Sequence, residues 1–352
     1  MNVLLWHVHG SWTTAFVHGR HRYLVPTTPD RGPYGLGRAR TYPWPDTTIE
    51  IHPDDLPTTD VDLVILQRPE EIDLTEQWLH RRPGRDVPAI YVEHNTPKDG
   101  DIPHSRHPLA DRDDLLIAHV THFNDLFWDC GGTRTTVVEH GIVPPAVEYT
   151  GDLERLAVVT NEPVRRWRVT GTDLIPRFTP VAPLDVFGMG VAGLADALAA
   201  RGPLRGPTAA GGARVGGTRT DGTRGDVDAD LLPLTAHEDL PQATMHAELA
   251  RRRAYLHLCR WTSLGLSLIE AMAIGMPVVA LATTEAVDAV PPDAGVLSTR
   301  VDTLVEAARW LVEDRDAAYR LGARAREVAK ERFGLDRFLA DWDRLMEEET
   351  CA

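Results

Sequence analysis

Short apolar runs alternate with stretches of helical periodicity along nearly the whole chain. The runs that fit strands are 3–6, 22–25, 61–66, 89–93, 115–120 and 136–139 in the first half, and 156–160, 184–187, 254–258, 277–281 and 295–297 in the second. Stretches of helical period lie between or after them, for example 70–81, 124–130, 242–252, 264–274, 301–313 and 316–348. This alternation is typical of parallel sheets with crossover helices, so the pattern predicts an α/β protein.

A Pro144-Pro145 pair interrupts the pattern, and the simplest account is two similar α/β domains joined near residues 144–151. One segment does not fit this account. Residues 201–230 are rich in Gly, Arg, Thr and Asp and have scarcely any large apolar side chain. Such a segment buries little surface, so we expect a mobile loop inserted in the second domain, rather than a phosphate site built from its arginines.

Composition narrows the function classes. The 352 residues carry a formal net charge of -15, which argues against a nucleic-acid-binding protein. No apolar run is long enough for a transmembrane segment, and the N-terminus lacks the features of a signal peptide, so a cytoplasmic protein is expected. The three cysteines are widely spaced and indicate neither a disulfide framework nor a Cys-based zinc site.

The most specific segment is 262–280, T-S-L-G-L-S-L-I-E-A-M-A-I-G-M-P-V-V-A. It predicts a Gly-containing turn, a helix that carries one acid, a Gly stop and a buried strand. The acid, Glu270, has mostly apolar neighbours. It either accepts hydrogen bonds from two sugar hydroxyls or lies on the solvent face of an amphipathic helix, and the segment taken alone favours the solvent face.

This segment closely resembles the donor-binding segment E-G-F-G-L-x-x-x-E-A-M-A-x-G-x-P-V-V-A of retaining GT-B glycosyltransferases, the "group 1" (family 4-like) family. Thr262 stands where that family has its first acid, and Ser263-Leu264 replace Gly-Phe. The resemblance implies that Glu270 contacts the ribose of a nucleotide donor. The sugar-side role of the missing acid would then fall to Thr262 or a nearby backbone amide. The matching positions are Gly265, Leu266, Glu270, Ala271, Met272, Ala273, Gly275, Pro277, Val278, Val279 and Ala280.

Two other segments match in the expected order. Residues 137–142 resemble the family's V-I-P-N-G-V, with His140 in place of Asn. Residues 161–174 resemble G-R-x4-K-G-x-D-L, in which an Arg and a Lys neutralise the donor diphosphate. Arg165 falls on the Arg and Thr170 on the Lys, so Arg166 or Arg168 would supply the second charge. Without the resemblance, these arginines would be only a basic surface turn.

The resemblance implies the GT-B fold, in which two Rossmann-like domains face each other across a cleft. It assigns 1–148 to an N-terminal acceptor-side domain and 149–334 to a C-terminal nucleotide-sugar-binding domain. Residues 335–352 would form a C-terminal helix that crosses back to the first domain. The matches run from about residue 137 to the C-terminus, whereas the first 130 residues match only in layout.

Strand ends in the first domain supply further candidates, because ligands of open α/β sheets bind beyond strand C-termini. His94 follows the strand 89–93, where related transferases place a functional His facing the donor sugar; a partly buried His that caps the following turn is the alternative. Gly10 could let the backbone approach the donor, and Ser11 could face the acceptor or simply cap a helix. His119, His122 and Asn124 end another strand and are assigned to the acceptor side by position alone.

The resemblance therefore predicts a hexosyltransferase-type enzyme that moves a sugar from a UDP- or GDP-linked donor to a hydroxyl of a small-molecule or glycan acceptor, with retention of configuration. His94 and Arg165 are the predicted catalytic residues. No cofactor and no metal ion is expected, because neither the His pairs nor Asp111-x-Asp113-Asp114 has partnered ligands. The alternatives are a GT-B-fold nucleotide-sugar epimerase or hydrolase, or a degenerate non-catalytic sugar-nucleotide-binding protein. Peripheral membrane contact and oligomeric state stay open.

Overall fold

The computed structural model describes residues 1–98, 100–201 and 233–351. The segment 201–230, predicted as a mobile loop, lies outside the described residues except for Arg201. The first half of the chain forms a seven-stranded parallel sheet in the order β3-β2-β1-β4-β5-β6-β7. Its strands are β1 (Asn2–Leu5), β2 (Arg22–Pro26), β3 (Thr48–Ile51), β4 (Leu63–Leu66), β5 (Ala89–Glu93), β6 (Leu116–His119) and β7 (Arg134–Val137).

The second half forms a six-stranded parallel sheet in the order β10-β9-β8-β11-β12-β13. Its strands are β8 (Leu153–Val159), β9 (Leu184–Gly188), β10 (Leu234–Glu238), β11 (Arg252–His257), β12 (Val278–Leu281) and β13 (Gly295–Ser298). The strand order reverses between β1 and β4 in the first sheet and between β8 and β11 in the second. Crevices at the carboxyl ends of such strands are the usual ligand sites of doubly wound sheets.

Helices cover both faces of each sheet, because successive strand residues point to opposite faces and both faces are apolar. In β1, for example, Val3 and Leu5 join one core while Leu4 joins the other. The α-helices are α1 (Gly10–Phe16), α2 (Glu70–Leu79), α3 (His122–Phe127), α4 (Pro163–Arg166), α5 (Leu194–Arg201), α6 (Gln242–Leu249), α7 (Leu266–Ile274), α8 (Ala286–Ala289), α9 (Val301–Glu313), α10 (Arg315–Phe333) and α11 (Leu335–Cys351).

The last helix, α11, leaves the second half of the molecule and packs on the first. Phe338 and Trp342 are buried in the core of the first sheet, and the indole of Trp342 lies edge-on to that of Trp12 with 5.7 Å between ring centroids. Two Rossmann-like units with a helix that crosses back confirm the GT-B fold expected from the sequence. Among the described helices, none is both long and apolar enough to cross a bilayer.

The pattern of apolar runs missed two strands, β3 and β10. Both are edge strands of polar sequence, T-I-E-I and L-T-A-H-E, and an edge strand buries too little surface to require an apolar run. The predicted helix 242–252 also ends earlier, at Leu249, because Arg252 begins β11. The Arg252 guanidinium donates to the buried carboxylate of Asp185 at 2.8 Å, a tertiary contact that outweighs local helix propensity.

Candidate active site

The carboxyl ends of the two sheets face each other across a cleft. We call the loops that follow β1, β2, β4, β5, β6 and β7 the first wall, and the loops that follow β8 and β11 together with α7 the second wall. Two hydrogen bonds join the walls directly. Ser263 Oγ donates to the backbone carbonyl of His94 at 2.8 Å, and Trp261 Nε1 donates to that of Pro97 at 2.7 Å. The structure therefore brings the 262–270 segment against His94.

In the second wall, α7 carries the predicted ribose ligand, Glu270. The helix begins after Gly265, where a Cβ atom would lie only 2.7 Å from His257 Cε1, so the tight turn leaves no room for a side chain. Glu270 is 3% exposed; its Oε1 accepts from Gln242 Nε2 at 2.9 Å, and its Oε2 lies 3.3 Å from His246 Nε2. Glu270 is thus an oriented buried carboxylate and not a solvent-face acid.

The arginines of the 161–174 loop have different surroundings. Arg165, the position matched to the family's Arg, is 72% exposed and ion-paired with Glu162. Arg168 donates to Asp173 at 2.8 Å. Arg166 is half-buried and has no acidic partner among the described residues. Burial raises the pKa of Cys259 to about 11 and the charge of Arg166 opposes that rise, which places Arg166 near the end of β11. Arg165 and Arg168 would have to break an ion pair before binding phosphate, whereas Arg166 would not.

Thr262 stands where the family has an acid and Thr170 where it has a Lys, and the structure shows the surroundings of both. Thr170 is buried, and its hydroxyl lies 2.8 Å from that of Thr172, so it faces the interior of the loop. The next residue, Gly171, has a φ of 72°, and a Cβ there would lie 1.9 Å from the carbonyl oxygen of Leu258. Thr262 is half-buried at the cleft, with no side-chain hydrogen bond to any described residue. The close contact between Gly171 and the backbone of Leu258, directly after β11, fixes the geometry of the 161–174 loop.

Histidines dominate the first wall. The ring of His9, after β1, lies over that of His94, after β5, with 4.1 Å between centroids, and Trp12 lies edge-on to His94 at 4.9 Å. His140, after β7, is buried nearby. Burial lowers the pKa of His9 to about 4, that of His140 to about 3, and that of His94 well below its usual value. All three imidazoles are therefore neutral at physiological pH, and the first wall presents hydrogen-bonding groups without charge.

Gly10 and Ser11 lie beside Tyr42, which no motif in the sequence singles out. Ser11 Oγ is 3.3 Å from the Tyr42 hydroxyl, and a Cβ on Gly10 would lie 2.9 Å from the Tyr42 ring. Burial raises the pKa of Tyr42, and the carboxylates of Glu270 and Asp239 raise it further. Tyr42 therefore stands on the first wall within electrostatic reach of the second.

The residues assigned to the acceptor side by position differ in their exposure. His119 and Asn124 are fully buried. His119 Nε2 lies 3.6 Å from Cys130 Sγ, and Asn124 Nδ2 donates to the carbonyl of Glu93 at 3.2 Å, so both hold the sheet end together. His122, at the start of α3, is exposed.

Within the described part of the chain, one group of three carboxylates is close enough to share a metal ion: Glu139, Glu285 and Asp288. Arg332 lies among them, donating from Nε to Glu139 at 3.0 Å, with Nη2 3.5 Å from Glu285. The group is therefore satisfied as an ion-pair network. Asp111 likewise accepts from the backbone of Gly132 at 2.8 Å, as in a polar turn.

Comparisons with known proteins agree with this architecture. The family model "Glycosyl transferases group 1" matches residues 235–328, which include β11, β12 and all of α7. A comparison with curated protein sequences finds no match.

Solved structures of similar fold include sucrose-phosphate synthase from Thermosynechococcus elongatus, with 13% identity, 99% of this chain and 98% of that one covered, and a TM-score of 0.64. Anabaena HepE in complex with UDP-glucose has 12% identity, coverage of 99% and 100%, and a TM-score of 0.63. A glycosyltransferase from Rickettsia africae has 10% identity, coverage of 99% and 98%, and a TM-score of 0.61. At these identities the likeness is one of fold.

Proposed function

We propose that this chain is a glycosyltransferase that moves a sugar from a nucleotide-diphosphate donor to an acceptor hydroxyl, with retention of anomeric configuration. The observation that carries the proposal is Glu270. It is a buried, oriented carboxylate at the carboxyl edge of the second sheet, within the segment that matches the family model. A carboxylate with two free lone-pair directions suits the adjacent hydroxyls of a ribose. The HepE complex with UDP-glucose supports a UDP-linked donor.

The two walls divide the work of binding. Arg166, with Arg165 and Arg168 beside it, supplies positive charge for the diphosphate on the second wall, where the Gly265 turn lets the backbone approach the donor. The uncharged His94 on the first wall meets the donor sugar, with Thr262 and Ser263 opposite it. Closure of the walls around the donor excludes water and orients the attacking hydroxyl.

Catalysis is then mainly electrostatic. As the glycosidic bond to the diphosphate breaks, negative charge grows on the leaving phosphate, and the arginines of the 161–174 loop stabilise it. The leaving diphosphate accepts the proton of the attacking hydroxyl on the same face of the sugar, which gives retention. This scheme requires neither an enzymatic nucleophile nor a metal ion. The acceptor is a small molecule or a glycan that enters along the exposed His122 side of the first wall.

The first test is thermal stabilisation by nucleoside diphosphates and nucleotide-sugars, with Glu270→Ala beside the exposed Glu306→Ala as a matched control. Saturation at about 100 times Kd stabilises a protein by about 2.7 kcal/mol. We expect one base to give this shift, the Glu270 variant to lose it, and the Glu306 variant to keep it. No shift with any nucleotide would reject the donor site.

The second test is release of nucleoside diphosphate with and without acceptor mixtures, followed by NMR of the product's anomeric proton. Acceptor-dependent release with the donor's own anomeric configuration is the expected result. Release without an acceptor would instead identify an epimerase or hydrolase. Binding without any turnover would identify a non-catalytic sugar-nucleotide-binding protein, for which the replacements at Thr170 and Thr262 would be the cause.

A further inference from the structure

A buried chain of hydrogen bonds runs through the first wall from Trp6 to His94. Gln67, the first residue after β4, is 2% exposed, and its side-chain Nε2 lies 2.7 Å from the backbone carbonyl oxygen of Trp6. A carbonyl oxygen only accepts hydrogen bonds, so the NH2 group of Gln67 must face it. The opposite amide orientation would bring two acceptors together at 2.7 Å. The orientation of the Gln67 amide is therefore fixed by its contact with Trp6.

This orientation determines which nitrogen of His94 carries the proton. The Gln67 carbonyl oxygen, Oε1, lies 3.1 Å from His94 Nε2, so Nε2 must donate. In a neutral imidazole the other nitrogen is then a bare acceptor. His94 Nδ1 has no hydrogen-bond partner in residues 1–98, 100–201 and 233–351, and His94 is 8% exposed, against 0% for His119 and 3% for His140. His94 thus offers a lone pair at Nδ1.

We infer that Gln67 is a positioning residue that holds His94 as the Nε2–H tautomer, so that Nδ1 accepts a hydrogen bond from a ligand hydroxyl. The inference rests on the proposed function and narrows its substrate class: the group at this position in the donor sugar is an O–H donor. A deoxy or fluoro sugar at that position would leave Nδ1 unpartnered and would be discriminated against.

The surroundings keep both residues of the pair in place. Glu71 accepts from the backbone N–H of Gln67 at 2.6 Å and so fixes the turn after β4. The His9 ring, tilted by 39° against His94, and the edge of Trp12 hinder rotation of the imidazole. The titratable groups that face His94 from other elements are His9 and His140, both neutral. The charges of Glu93, Lys98 and Arg68 act on His9.

The first test measures the tautomer of His94 by NMR and needs no substrate. The protein is labelled with 15N-histidine, and the His94 signals are assigned by their loss in His94→Gln. We expect a protonated, pyrrole-type Nε2 and an unprotonated, pyridine-type Nδ1 in the wild type at neutral pH. A protonated Nδ1, or a mixture of tautomers, would overturn the inference without any bearing on whether nucleotide-sugars bind.

Variants then test the role of Gln67. Gln67→Leu removes the acceptor and should give mixed tautomers at His94. In Gln67→Glu a protonated carboxyl can donate to the Trp6 carbonyl and still accept from Nε2, so this variant should retain the Nε2–H tautomer. Gln77→Leu, on the exposed face of α2, is the matched control and should change nothing. A single Nε2–H tautomer in Gln67→Leu would refute the positioning role.

Kinetics separate this role from general destabilisation. In Gln67→Leu, kcat/KM for the nucleotide-sugar should fall about tenfold, while affinity for the nucleoside diphosphate, which contacts the second wall, stays within about twofold. Gln67→Glu should restore part of the rate while its carboxyl is protonated, and lose it as the pH rises and the carboxyl ionises. An equal loss of diphosphate affinity would mean that Gln67 acts only on the fold.

Discussion

The two walls of the cleft are built on the same kind of sheet end but have opposite chemistry. The second wall carries charge: Arg166 stands without an acidic partner among the described residues, Arg168 pairs with Asp173, and Glu270 is buried in α7. The first wall carries neutral imidazoles whose pKa values are lowered by burial, and a buried amide that orients one of them. Charge suits the nucleotide diphosphate, whereas neutral donors and acceptors suit hydroxyls.

The comparison also shows how each wall is held. The second wall depends on two close contacts at glycines: Gly171 lies against the carbonyl oxygen of Leu258, and Gly265 lies against the ring of His257. The first wall depends on side-chain hydrogen bonds between residues distant in sequence, such as the pair Gln67 and His94, 27 residues apart. A substitution at a glycine of the second wall should therefore lower the free energy of unfolding more than a substitution in the first wall, and should affect more than one contact.

The largest effect is expected for Gly171→Ala. The positive φ of Gly171 and the 1.9 Å approach of a Cβ to the Leu258 carbonyl oxygen force the 161–174 loop away from β11. Strain of this kind with a backbone clash should lower the free energy of unfolding by about 3 kcal/mol or more. Urea denaturation measures it. Gly193→Ala, whose Cβ would have no neighbour within 4 Å, should change the free energy by less than about 0.5 kcal/mol.

The next effect separates two adjacent arginines of the second wall. Arg166→Ala should remove a charge-assisted hydrogen bond to phosphate of about 1.5–3 kcal/mol, roughly a 10- to 150-fold loss of nucleoside diphosphate affinity. Arg165→Ala should change the affinity by less than about threefold, because Arg165 is exposed and paired with Glu162. Isothermal titration measures both. A larger loss in Arg165→Ala would show that the Glu162 pair opens on binding and that the family alignment identifies the phosphate ligand.

The sequence predicted the second wall better than the first for a physical reason. The candidate ligands on and before α7 follow one another in a single segment, so Gly265, Leu266 and Glu270 could be named from the family resemblance of 262–280. The first wall draws on residues 9, 67, 94 and 140, which only the topology of the sheet brings together. His94 was selected because it ends a strand, but Gln67 also ends a strand and was missed.

Other differences between the predictions and the structure also arise because tertiary contacts are not visible in the local sequence. The apolar pattern did not predict β3 and β10. Each lies at the edge of its sheet, so it pairs with only one neighbouring strand. Position alone assigns His119 and Asn124 to the acceptor side, whereas both side chains are fully buried and bonded to neighbouring residues. Sequence position indicates the end of a sheet, whereas the direction of a side chain there depends on the neighbouring loops.

The neutrality of the first wall predicts a pH dependence of stability. His140 has a pKa lowered to about 3 by burial, so between pH 6.5 and about 3 the unfolded chain binds a proton that the folded chain does not. Stability from this group is therefore full above pH 6.5 and is lost as the pH falls. His140→Asn, which restores the family's residue, should make the free energy of unfolding fall less steeply, by at most about 1.4 kcal/mol per pH unit.

This slope is read as the difference between wild type and variant in urea denaturation, because other groups titrate too. Burial raises the pKa of Glu71 to about 7, so its contribution has the opposite sign and is lost as the pH rises through 7. His104→Asn, at an exposed histidine, is the matched control and should leave the slope unchanged. An equal slope in His140→Asn would mean that His140 is protonated in the folded protein.

The smallest effect concerns the contact between the walls. Ser263→Ala removes the 2.8 Å hydrogen bond to the His94 carbonyl, which is worth about 1 kcal/mol, or roughly fivefold in an equilibrium constant. A nucleoside diphosphate needs only the second wall, so its affinity should not change. A nucleotide-sugar touches both walls and should bind about fivefold more weakly. Ser298→Ala, at the end of β13, is the control. If both ligands weakened equally, Ser263 would support the second wall alone, and the division of labour between the walls would be wrong.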